Sequence, residues 1–517
     1  MKRSLWLKIT CLGLVSAILL VSTGCKYTPS TDAAIHTVAN TSNASGEAED
    51  GVSLSSISLA VDPSDKLHPY KAVSLVNMNL MPLIYDSLVK LDASFQPQMV
   101  IAQSFQVNGL QYSIVTRDDL TFSDGSKLKP SDIVYSLNEA KKSPLYGARL
   151  QNISSVEAGK NGVFIKLKTA DRHFMNCLDV PIVKEDSAAK DTDIPLGSGR
   201  YTVKTEGNKH TLIYNTRWYG EKKPKFDTIP LVTTPDDEAI ISSVKTGNIA
   251  LMMSDLSKGE IAGVGAATQP ISLNNLIFIG LNANRGVLQD PEFRQALYQA
   301  IDQKTIMSKG YSGRGVATTL PTNPLFDLGE KMSGDDFPAY NATKAGASLD
   351  SLGYNKKDAN GYRMKDEKPI ELNLLVNATN QFKKATALSI QGMLKAVGLK
   401  VNIVESESFD AFKASVRKLD FDLYLGETKL LANMDISGFW QSGELHAGIK
   451  NDKELTDAYQ AYRDKSGSYA DFAKLFYKNT PFIPLMFRSG IVAYNKNIKG
   501  ELSVTPSDIF ANIENWT

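Results

Sequence analysis

The chain has 517 residues, 42% of them hydrophobic and 22% charged, which is the composition of an ordinary globular protein of about two to four domains. Its 57 basic and 56 acidic residues nearly cancel, so it lacks the basic surplus that a nucleic-acid-binding protein needs. Three cysteines exclude a disulfide scaffold. Five scattered histidines argue against a histidine-rich metal site, and we expect neither a metal nor a cofactor.

The N-terminus reads as a secretory signal over residues 1–24. A basic start with Lys2, Arg3 and Lys8 precedes an apolar run over residues 9–21, which is shorter than the roughly 20 residues of a membrane span. The sequence Ser22-Thr23-Gly24-Cys25 then resembles a bacterial lipobox, with Ser22 where leucine is usual. It predicts cleavage before Cys25 and lipidation of that residue. The alternative is an ordinary secretory signal followed by a chance cysteine.

Residues 25–52 predict a flexible tether between this anchor and the globular body. They are rich in Ser, Thr, Ala, Asn and acidic residues and contain few large apolar side chains. Such a segment cannot bury enough surface to offset its chain entropy. If Cys25 carries lipid, Cys177 has no partner in the mature chain, so we predict that it is a small buried apolar residue without a disulfide.

From residue 53 onward, strands and helices alternate. Period-two hydrophobic patterns predict strands, and longer apolar-periodic segments predict helices. Strands are predicted over residues 56–61, 112–115, 120–122, 163–168, 399–404 and 421–425, and helices over residues 77–88, 131–140, 290–301, 387–397 and 409–419. The strand–helix–strand order favours an α/β fold with at least partly parallel pairing.

A series of short motifs then lines up along the chain. In order they are Leu67-His-Pro69, Leu83-Ile-Tyr-Asp-Ser-Leu-Val89, Thr121-Phe-Ser-Asp-Gly125, Pro195-Leu-Gly-Ser-Gly-Arg-Tyr201, Tyr214-Asn-Thr-Arg-Trp-Tyr-Gly220, Phe278-Ile-Gly-Leu-Asn282, Asp290-Pro-Glu-Phe-Arg-Gln-Ala-Leu297 and Pro481-Phe-Ile-Pro-Leu485. This ordered set resembles the family-5 extracytoplasmic solute-binding proteins of peptide and nickel ABC importers. The resemblance covers the chain from about residue 56.

The resemblance implies a two-lobe α/β fold of the periplasmic-binding-protein type (type II, cluster C). Lobe one is expected over residues 53–276, with 71–194 as an extra subdomain, and lobe two over residues 277–485. Residues 486–517 are expected to return to lobe one. The ligand is expected between the lobes, which close around it.

For function, the resemblance implies capture of an oligopeptide and its delivery to ABC permease subunits, with no catalysis. The expected protein is a monomer, anchored by its N-terminal lipid to the extracytoplasmic face of the cell membrane, with no nucleic-acid partner. One alternative keeps the fold and changes the cargo to another small solute, such as a metal chelate or a glycan. Another is a receptor whose cleft signals the presence of solute.

Peptide-binding members of the family often place a carboxylate against the ligand's α-amine, in the stretch after a Phe-Asp strand. The candidates there are Glu427, Lys429, Asn433 and Asp435. A carboxylate that faces an ammonium makes charge-assisted hydrogen bonds. Lys429 has two open roles, as a partner of Glu427 or as a receptor for a ligand carboxylate. The alternative for this stretch is a structural ion pair or a solvated loop.

Four further residues are candidates for ligand binding. Asn77 and Met78 lie where family members bring lobe one to the cleft, although a helical core methionine is the commoner role. Arg200 stands where the family usually has proline and is suited to bidentate anion recognition, with a surface arginine as the alternative. Trp440 is suited to stacking on a ligand, with core packing as the alternative.

Enzyme motifs are sparse. Lys245-Thr-Gly247 matches one element of serine β-lactamases, and Ser242-Ser-Val-Lys245 matches the Ser-x-x-Lys element. The two overlap at Lys245, so they cannot supply separate nucleophile and strand elements. No Ser-Asp-Asn, His-Glu-x-x-His, Gly-x-Ser-x-Gly or P-loop sequence occurs. We therefore expect a binding protein rather than an enzyme.

Overall fold

The structure is a computed structural model, and it describes residues 56–189, 194–234, 236–257, 266–330 and 339–517. The predicted signal, the lipidation site Cys25 and the tether therefore lie outside the described residues. Within those residues, none of the helices has the length and apolarity needed to cross a bilayer.

Helices and strands alternate along the chain. The α-helices are α1 (Leu75–Ile84), α2 (Pro130–Lys142), α3 (Gly147–Leu150), α4 (Asp237–Thr246), α5 (Pro291–Ala300), α6 (Gln303–Thr305), α7 (Ala342–Ser351), α8 (Gln381–Ala396), α9 (Phe409–Arg417), α10 (Lys453–Arg463) and α11 (Tyr469–Asn479). The strands of the first half are β1 (Leu59–Val61), β2 (Val89–Leu91), β3 (Pro97–Met99), β4 (Ala102–Asn108), β5 (Gln111–Thr116), β6 (Ile153–Ala158), β7 (Gly162–Leu167), β8 (Tyr201–Glu206), β9 (Lys209–Tyr214) and β10 (Thr228–Thr233). Those of the second half are β11 (Leu251–Ser254), β12 (Ala267–Leu281), β13 (Gly315–Ala317), β14 (Met364–Lys365), β15 (Lys368–Pro369), β16 (Glu371–Asn377), β17 (Lys400–Ser406), β18 (Leu423–Lys429) and β19 (Phe482–Tyr494).

The strands form two mixed sheets, an antiparallel sheet and two short hairpins. One mixed sheet has the order β1-β10-β9-β8, and the other has the order β11-β19-β12-β18-β16-β17, with β13 paired to β19. The antiparallel sheet has the order β4-β5-β7-β6. Strand β16 pairs in parallel with both β17 and β18, and β1 pairs in parallel with β10. The prediction of an α/β fold with partly parallel pairing is confirmed.

The longest strands, β12 and β19, each extend from one hydrophobic core into another. The first core contains Leu273 of β12 and Val492 of β19, together with the buried side chains of β4–β10. The second contains Ile277 and Leu485 and packs against α5, α7 and α8. A third, aromatic core lies on the opposite face of the same sheet and includes Phe278. The β12–β19 register shifts between Ser272 and Leu276, where the strands pass between cores.

Most predicted elements are present, and several of their ends differ. Helix α5 begins after the N-cap Asp290, whose side chain accepts a hydrogen bond from the Glu292 N–H, as predicted. Helix α8 begins at residue 381 rather than 387, because Asn380 accepts two N–H groups of its first turn. The strand predicted at residues 120–122 is wrong, since only a single bridge between Thr121 and Lys127 forms there. Cys177 is fully buried, which confirms the predicted burial of this residue.

Strands β12 and β18 are locked in register by two reciprocal pairs of glycine and aromatic residue. Phe278 lies directly opposite Gly426, and Tyr424 lies directly opposite Gly280. A Cβ atom added at Gly280 would lie 1.9 Å from the Tyr424 ring, and one at Gly426 would lie 2.4 Å from the Phe278 ring. Each ring therefore covers the bare backbone of the opposite strand, and a side chain at either glycine would displace it.

We predict that Gly280→Ala lowers the free energy of unfolding by about 1–3 kcal/mol, because the added methyl overpacks a rigid ring. The matched control is Gly392→Ala on α8, where an added Cβ meets nothing within 4 Å. That change should be neutral or stabilise the protein by up to about 1 kcal/mol. Urea unfolding followed by tryptophan fluorescence measures both, and equal effects of the two substitutions would contradict the overpacking argument.

Candidate functional site

A cavity of about 1080 Å³ lies between helices α1 and α4. Apolar residues of α1 line one wall, and the end of β11 with the residues after it lines another. Acidic and basic side chains share the rim, namely Asp236, Asp237, Glu238, Lys245 and Asp255. Ser257 on this wall accepts a hydrogen bond from Asn380, the N-cap of α8, through its carbonyl oxygen over 3.0 Å. This α1–α4 cavity therefore adjoins elements of both the first and the second core.

The loop before α1 is held by Asn77, a predicted ligand residue. The Asn77 side chain is fully buried, accepts a hydrogen bond from the Asp62 N–H over 2.9 Å and donates to the Asp62 carbonyl over 3.0 Å. Ser74 caps the helix by accepting the Asn77 N–H. Met78 packs against the first core. The side chains of Asn77 and Met78 thus position the helix.

The cavity is lined by the other face of α1. Leu75, Val76, Asn79 and Leu80 form that lining. Asn79 brings a polar amide into an otherwise apolar wall. Successive residues on a helix point about 100° away from each other. The sequence therefore indicated that this helix is near the cavity, but it did not indicate which of its side chains line the cavity.

Glu427 is the centre of a buried ion cluster rather than an isolated carboxylate. Its carboxylate lies 2.8 Å from the Lys383 ammonium and 2.9 Å from the Arg488 guanidinium, and it accepts a hydrogen bond from Asn275 over 2.9 Å. Burial alone would raise the pKa of Glu427, but Lys383 and Arg488 outweigh it and hold the pKa at about 2. Burial lowers the pKa of Lys383, an effect that Glu427 partly offsets. Glu427 therefore stays ionised. Its contacts are those of the structural ion pair that was the sequence-based alternative to ligand binding.

Lys429 stands two residues further along β18 and does not pair with Glu427. Its side chain is exposed to solvent, yet burial by the surrounding protein lowers its pKa and the charge of Arg149 lowers it further. Asp255 and Asp179 act in the opposite direction. Among the described residues, its ammonium has no ion pair and no hydrogen bond.

Asn433 and Asp435 lie in a second polar cluster, which contains Asp171. The Asn433 amide donates to the Asp171 carboxylate over 2.6 Å, and Arg463 lies 2.6 Å from the same oxygen. Asp435 lies 3.8 Å from Arg463 and accepts the Ser437 N–H over 2.8 Å. Asn433 is 5% exposed and Asp171 4%. Both predicted residues are thus engaged by this chain's own side chains.

The segment that carries Asp171 makes further contacts with α10 and its surroundings. His173 Nε2 lies 2.7 Å from the Tyr462 hydroxyl, and the Arg172 N–H donates to the Arg463 carbonyl over 2.9 Å. Arg172 also lies 3.2 Å from the Glu330 carboxylate. The residues that follow, Phe174–Leu178, are buried in the first core, whereas Tyr462 belongs to the third. These contacts therefore join the first core to the third.

The two remaining predicted residues lie apart from these clusters. Trp440 packs against the third core, with its ring 6.5 Å from those of Tyr459 and Phe482. Arg200 is 6% exposed, and its guanidinium pairs with Asp508 over 3.2 Å and with Glu514. Trp440 therefore packs in the core, and Arg200 forms an internal ion pair.

The structure thus brings Glu427 and Lys429 together on one face of β18 and places Asn433 and Asp435 in a separate cluster. Sequence reasoning missed the partners of Glu427, Asn433 and Asp435, namely Lys383, Arg488, Asp171 and Arg463. One signal was available, because Arg488 is a charged residue in the otherwise apolar run of β19. Across the described part of the chain, no group of three or more His, Cys, Asp and Glu residues is placed to hold a metal ion.

Comparison with known proteins identifies relatives over most of the chain. The family model "Bacterial extracellular solute-binding proteins, family 5 Middle" matches residues 95–441. The oligopeptide-binding protein AppA of Bacillus subtilis is 25% identical over 472 residues, covering 84% of this chain and 86% of AppA. The nickel-binding periplasmic protein of Escherichia coli is 23% identical over 354 residues, covering 63% of this chain and 66% of that protein.

Among solved structures, NikA from Brucella suis in complex with Fe(III)-EDTA has a TM-score of 0.67 at 19% identity, covering 89% of this chain and 99% of NikA. This similarity and the family match confirm the predicted fold class and the resemblance on which it was based.

We predict that Glu427→Gln lowers the free energy of unfolding by about 3 kcal/mol or more, because it leaves two buried cations without their counter-charge. The matched control is Glu405→Gln, whose partner Lys384 lies 3.2 Å away at an exposed site. That exposed pair should contribute less than about 1 kcal/mol. Urea unfolding decides between them, and a Glu427→Gln protein as stable as the control would contradict the buried-cluster interpretation.

We also predict that His173 makes the stability fall in mild acid. Burial lowers its pKa to about 3, and the charges of Arg463, Arg172 and Lys465 add to the effect. An unfolded histidine has a pKa near 6.5, so the unfolded state takes up the proton first as the pH falls. The stabilisation is complete above pH 6.5 and is lost progressively towards pH 3, with about 1 kcal/mol lost between pH 7.5 and 5.5. Unfolding of wild type and His173→Gln at both pH values measures this term, and an identical pH slope in the two proteins would refute it.

Proposed function

Because this chain belongs to the bacterial extracellular solute-binding proteins of family 5, we propose that it captures oligopeptides outside the cell membrane and delivers them to an ABC importer. Proteins of this family are the substrate-binding components of such importers, so the chain acts by binding and not as an enzyme. The family match over residues 95–441 is the observation that carries the proposal. The peptide cargo and the delivery route are the parts that experiment must test.

Two observations favour a peptide over other cargo. AppA, which aligns with 84% of this chain, is named as an oligopeptide-binding protein. The α1–α4 cavity, at about 1080 Å³, slightly exceeds the usual range for small-molecule sites, and its lining from lobe one offers room for the part of a ligand of several residues that this lobe would hold. Its wall combines apolar side chains with the amide of Asn79 and with charged groups of both signs. A peptide presents the same mixture of apolar side chains, polar backbone and charged termini.

The proposed mechanism has two lobes that close on the ligand. Residues 53–276 and 486–517 form lobe one, with 71–194 as its subdomain, and residues 277–485 form lobe two. The distribution of the cores supports this division, because the first core ends at Leu273 on β12 and resumes at Val492 on β19. The two long strands then serve as the crossings between the lobes. The register shift after Ser272 supplies the irregular backbone that a hinge needs.

In this scheme the Asp171 cluster is a contact between closed lobes. Asp171 and His173 come from lobe one, and they meet Asn433, Tyr462 and Arg463 of lobe two. Such contacts are made only in the closed state, so they add to whatever preference the ligand has for that state. Asn433 and Asp435 then act on ligand affinity through closure, and Glu427 acts by keeping β18 and α8 in place.

The proposed location follows from the N-terminal sequence. Lipid on Cys25 would hold the protein at the extracytoplasmic face of the cell membrane, where residues 26–52 would let the body reach its permease. A monomer suffices for this role, because each chain contains both lobes. Lipid chains on both the sulfur and the amine of Cys25 would tether a folded body to the membrane without requiring it to span the bilayer.

We predict that the full chain, purified in a mild detergent without refolding, retains peptides from its host. Native mass spectrometry should show a ladder of bound masses that fragment into peptide sequences. Enclosed clefts release their ligands slowly, which is why cargo is expected to survive purification.

A single non-peptide mass would contradict the peptide proposal and favour the alternative of another small solute. If the protein is empty, a thermal-shift screen with a random pentapeptide library makes the same decision, because a ligand raises the melting temperature by mass action. A deletion strain that still grows on peptides as its sole amino-acid source would contradict a role in uptake and favour solute sensing.

A further inference from the structure

Lys429 lies at the position in lobe two where we expect the protein to contact its ligand. Strands β16, β17 and β18 are mutually parallel, so their carboxyl ends lie at one edge of the sheet. Ligands of open α/β sheets bind beyond the carboxyl ends of the strands. Lys429 is the last residue of β18, opposite Asn275 of β12. Lys429 therefore stands at this edge of the sheet.

The charges that the described residues bring to this edge do not balance. Lys383 and Arg488 share one carboxylate, that of Glu427, and Lys429 adds a third positive charge. The charge of Asp255 acts on Lys429, and counting that carboxylate leaves the described groups with one positive charge in excess. The neighbouring ions Arg149 and Asp179 form an ion pair with each other and add nothing to the sum.

Two donors at this edge have no acceptor in the part of the chain that the structure describes. The Arg488 side chain is 4% exposed, and its Nε and Nη2 atoms both lie 2.9 Å from the same oxygen of Glu427. Among the described residues, Arg488 Nη1 has no hydrogen-bond partner. The Lys429 ammonium likewise has no acceptor within the described part of the chain. A buried charged donor without an acceptor is costly. Arg488 Nη1 is such a donor, and Lys429 at the same edge is accessible to solvent. The two are therefore suited to bind an acceptor group supplied by a ligand.

We propose that Lys429 and Arg488 Nη1 form a subsite for a carboxylate of the ligand, so that the cargo class is a peptide with an anionic group at this point. The inference rests on the proposed function and deepens it by naming the chemistry of the ligand. Ammonium and guanidinium donors give a carboxylate charge-assisted hydrogen bonds and repel a ligand amine. Asp255, whose charge acts on Lys429, also lines the α1–α4 cavity and so relates the subsite to that space.

The test compares ligands that differ only in one carboxylate. Trialanine is paired with trialanine amide, and alanyl-aspartyl-alanine amide is paired with its asparaginyl analogue. Binding to the full chain in mild detergent is measured by isothermal titration calorimetry. The variant is Lys429→Met, and the matched control is Lys395→Met, an exposed lysine in the last turn of α8. The carboxylate member of at least one pair should bind at least tenfold tighter to wild type and to the control.

Lys429→Met should remove that difference while leaving affinity for the amide within about twofold. Equal affinity within both pairs for wild type, or a preference that survives in Lys429→Met, would overturn the subsite and leave the peptide-binding function intact. If none of the four peptides binds, the failure concerns peptide cargo of this length and not the subsite. Glutarate against glutaramide then tests the subsite alone, and tighter binding of glutarate that depends on Lys429 supports it, whereas equal binding or none overturns it.

Discussion

The pairing of β12 with β19 is the constraint on which the rest of the structure depends. These are the two strands that carry side chains of the first core at one end and of the second and third cores at the other. The glycine–aromatic pairs of β12 and β18 then fix the register of the neighbouring strand. A slip of one residue would move Glu427 and Lys429 to the opposite face of the sheet. The position of the candidate subsite is therefore set by packing in the core.

The buried cluster around Glu427 links stability to ligand chemistry. Burying an ion pair is seldom a gain in itself, since desolvation offsets most of the Coulomb attraction. Here one carboxylate serves both Lys383 and Arg488, so positive charge remains at the end of β18 even though Glu427 is fully ionised. The same arrangement that makes Glu427 structurally necessary therefore prepares this edge for an anion. The Glu427 carboxylate was predicted to contact the ligand. In the structure it pairs with the cations Lys383 and Arg488.

Sequence patterns predicted the elements better than the site. Helices α5 and α9 and strands β5, β7 and β17 were expected within one or two residues, because caps and period-two alternation are local signals. The start of α8 was placed six residues late, because its first turn carries polar residues such as Lys383 whose burial depends on Glu427, 44 positions further along the chain. The same limit explains why local patterns did not show that the Asn77 side chain holds the loop before α1.

By itself, the sequence determined the class of protein: a near-neutral α/β chain, with an ordered set of motifs that predicted family 5 and its role in binding rather than catalysis. These properties depend on composition, local periodicity and motif order, which are readable along one dimension. Only the tertiary structure decided which charges are neutralised and which remain available. Lys429 and Asn433 looked equivalent as candidates, yet one has no acceptor among the described residues and the other binds Asp171. Neutralisation depends on partners distant in sequence, because Coulomb energy falls with separation in space and takes no account of separation along the chain.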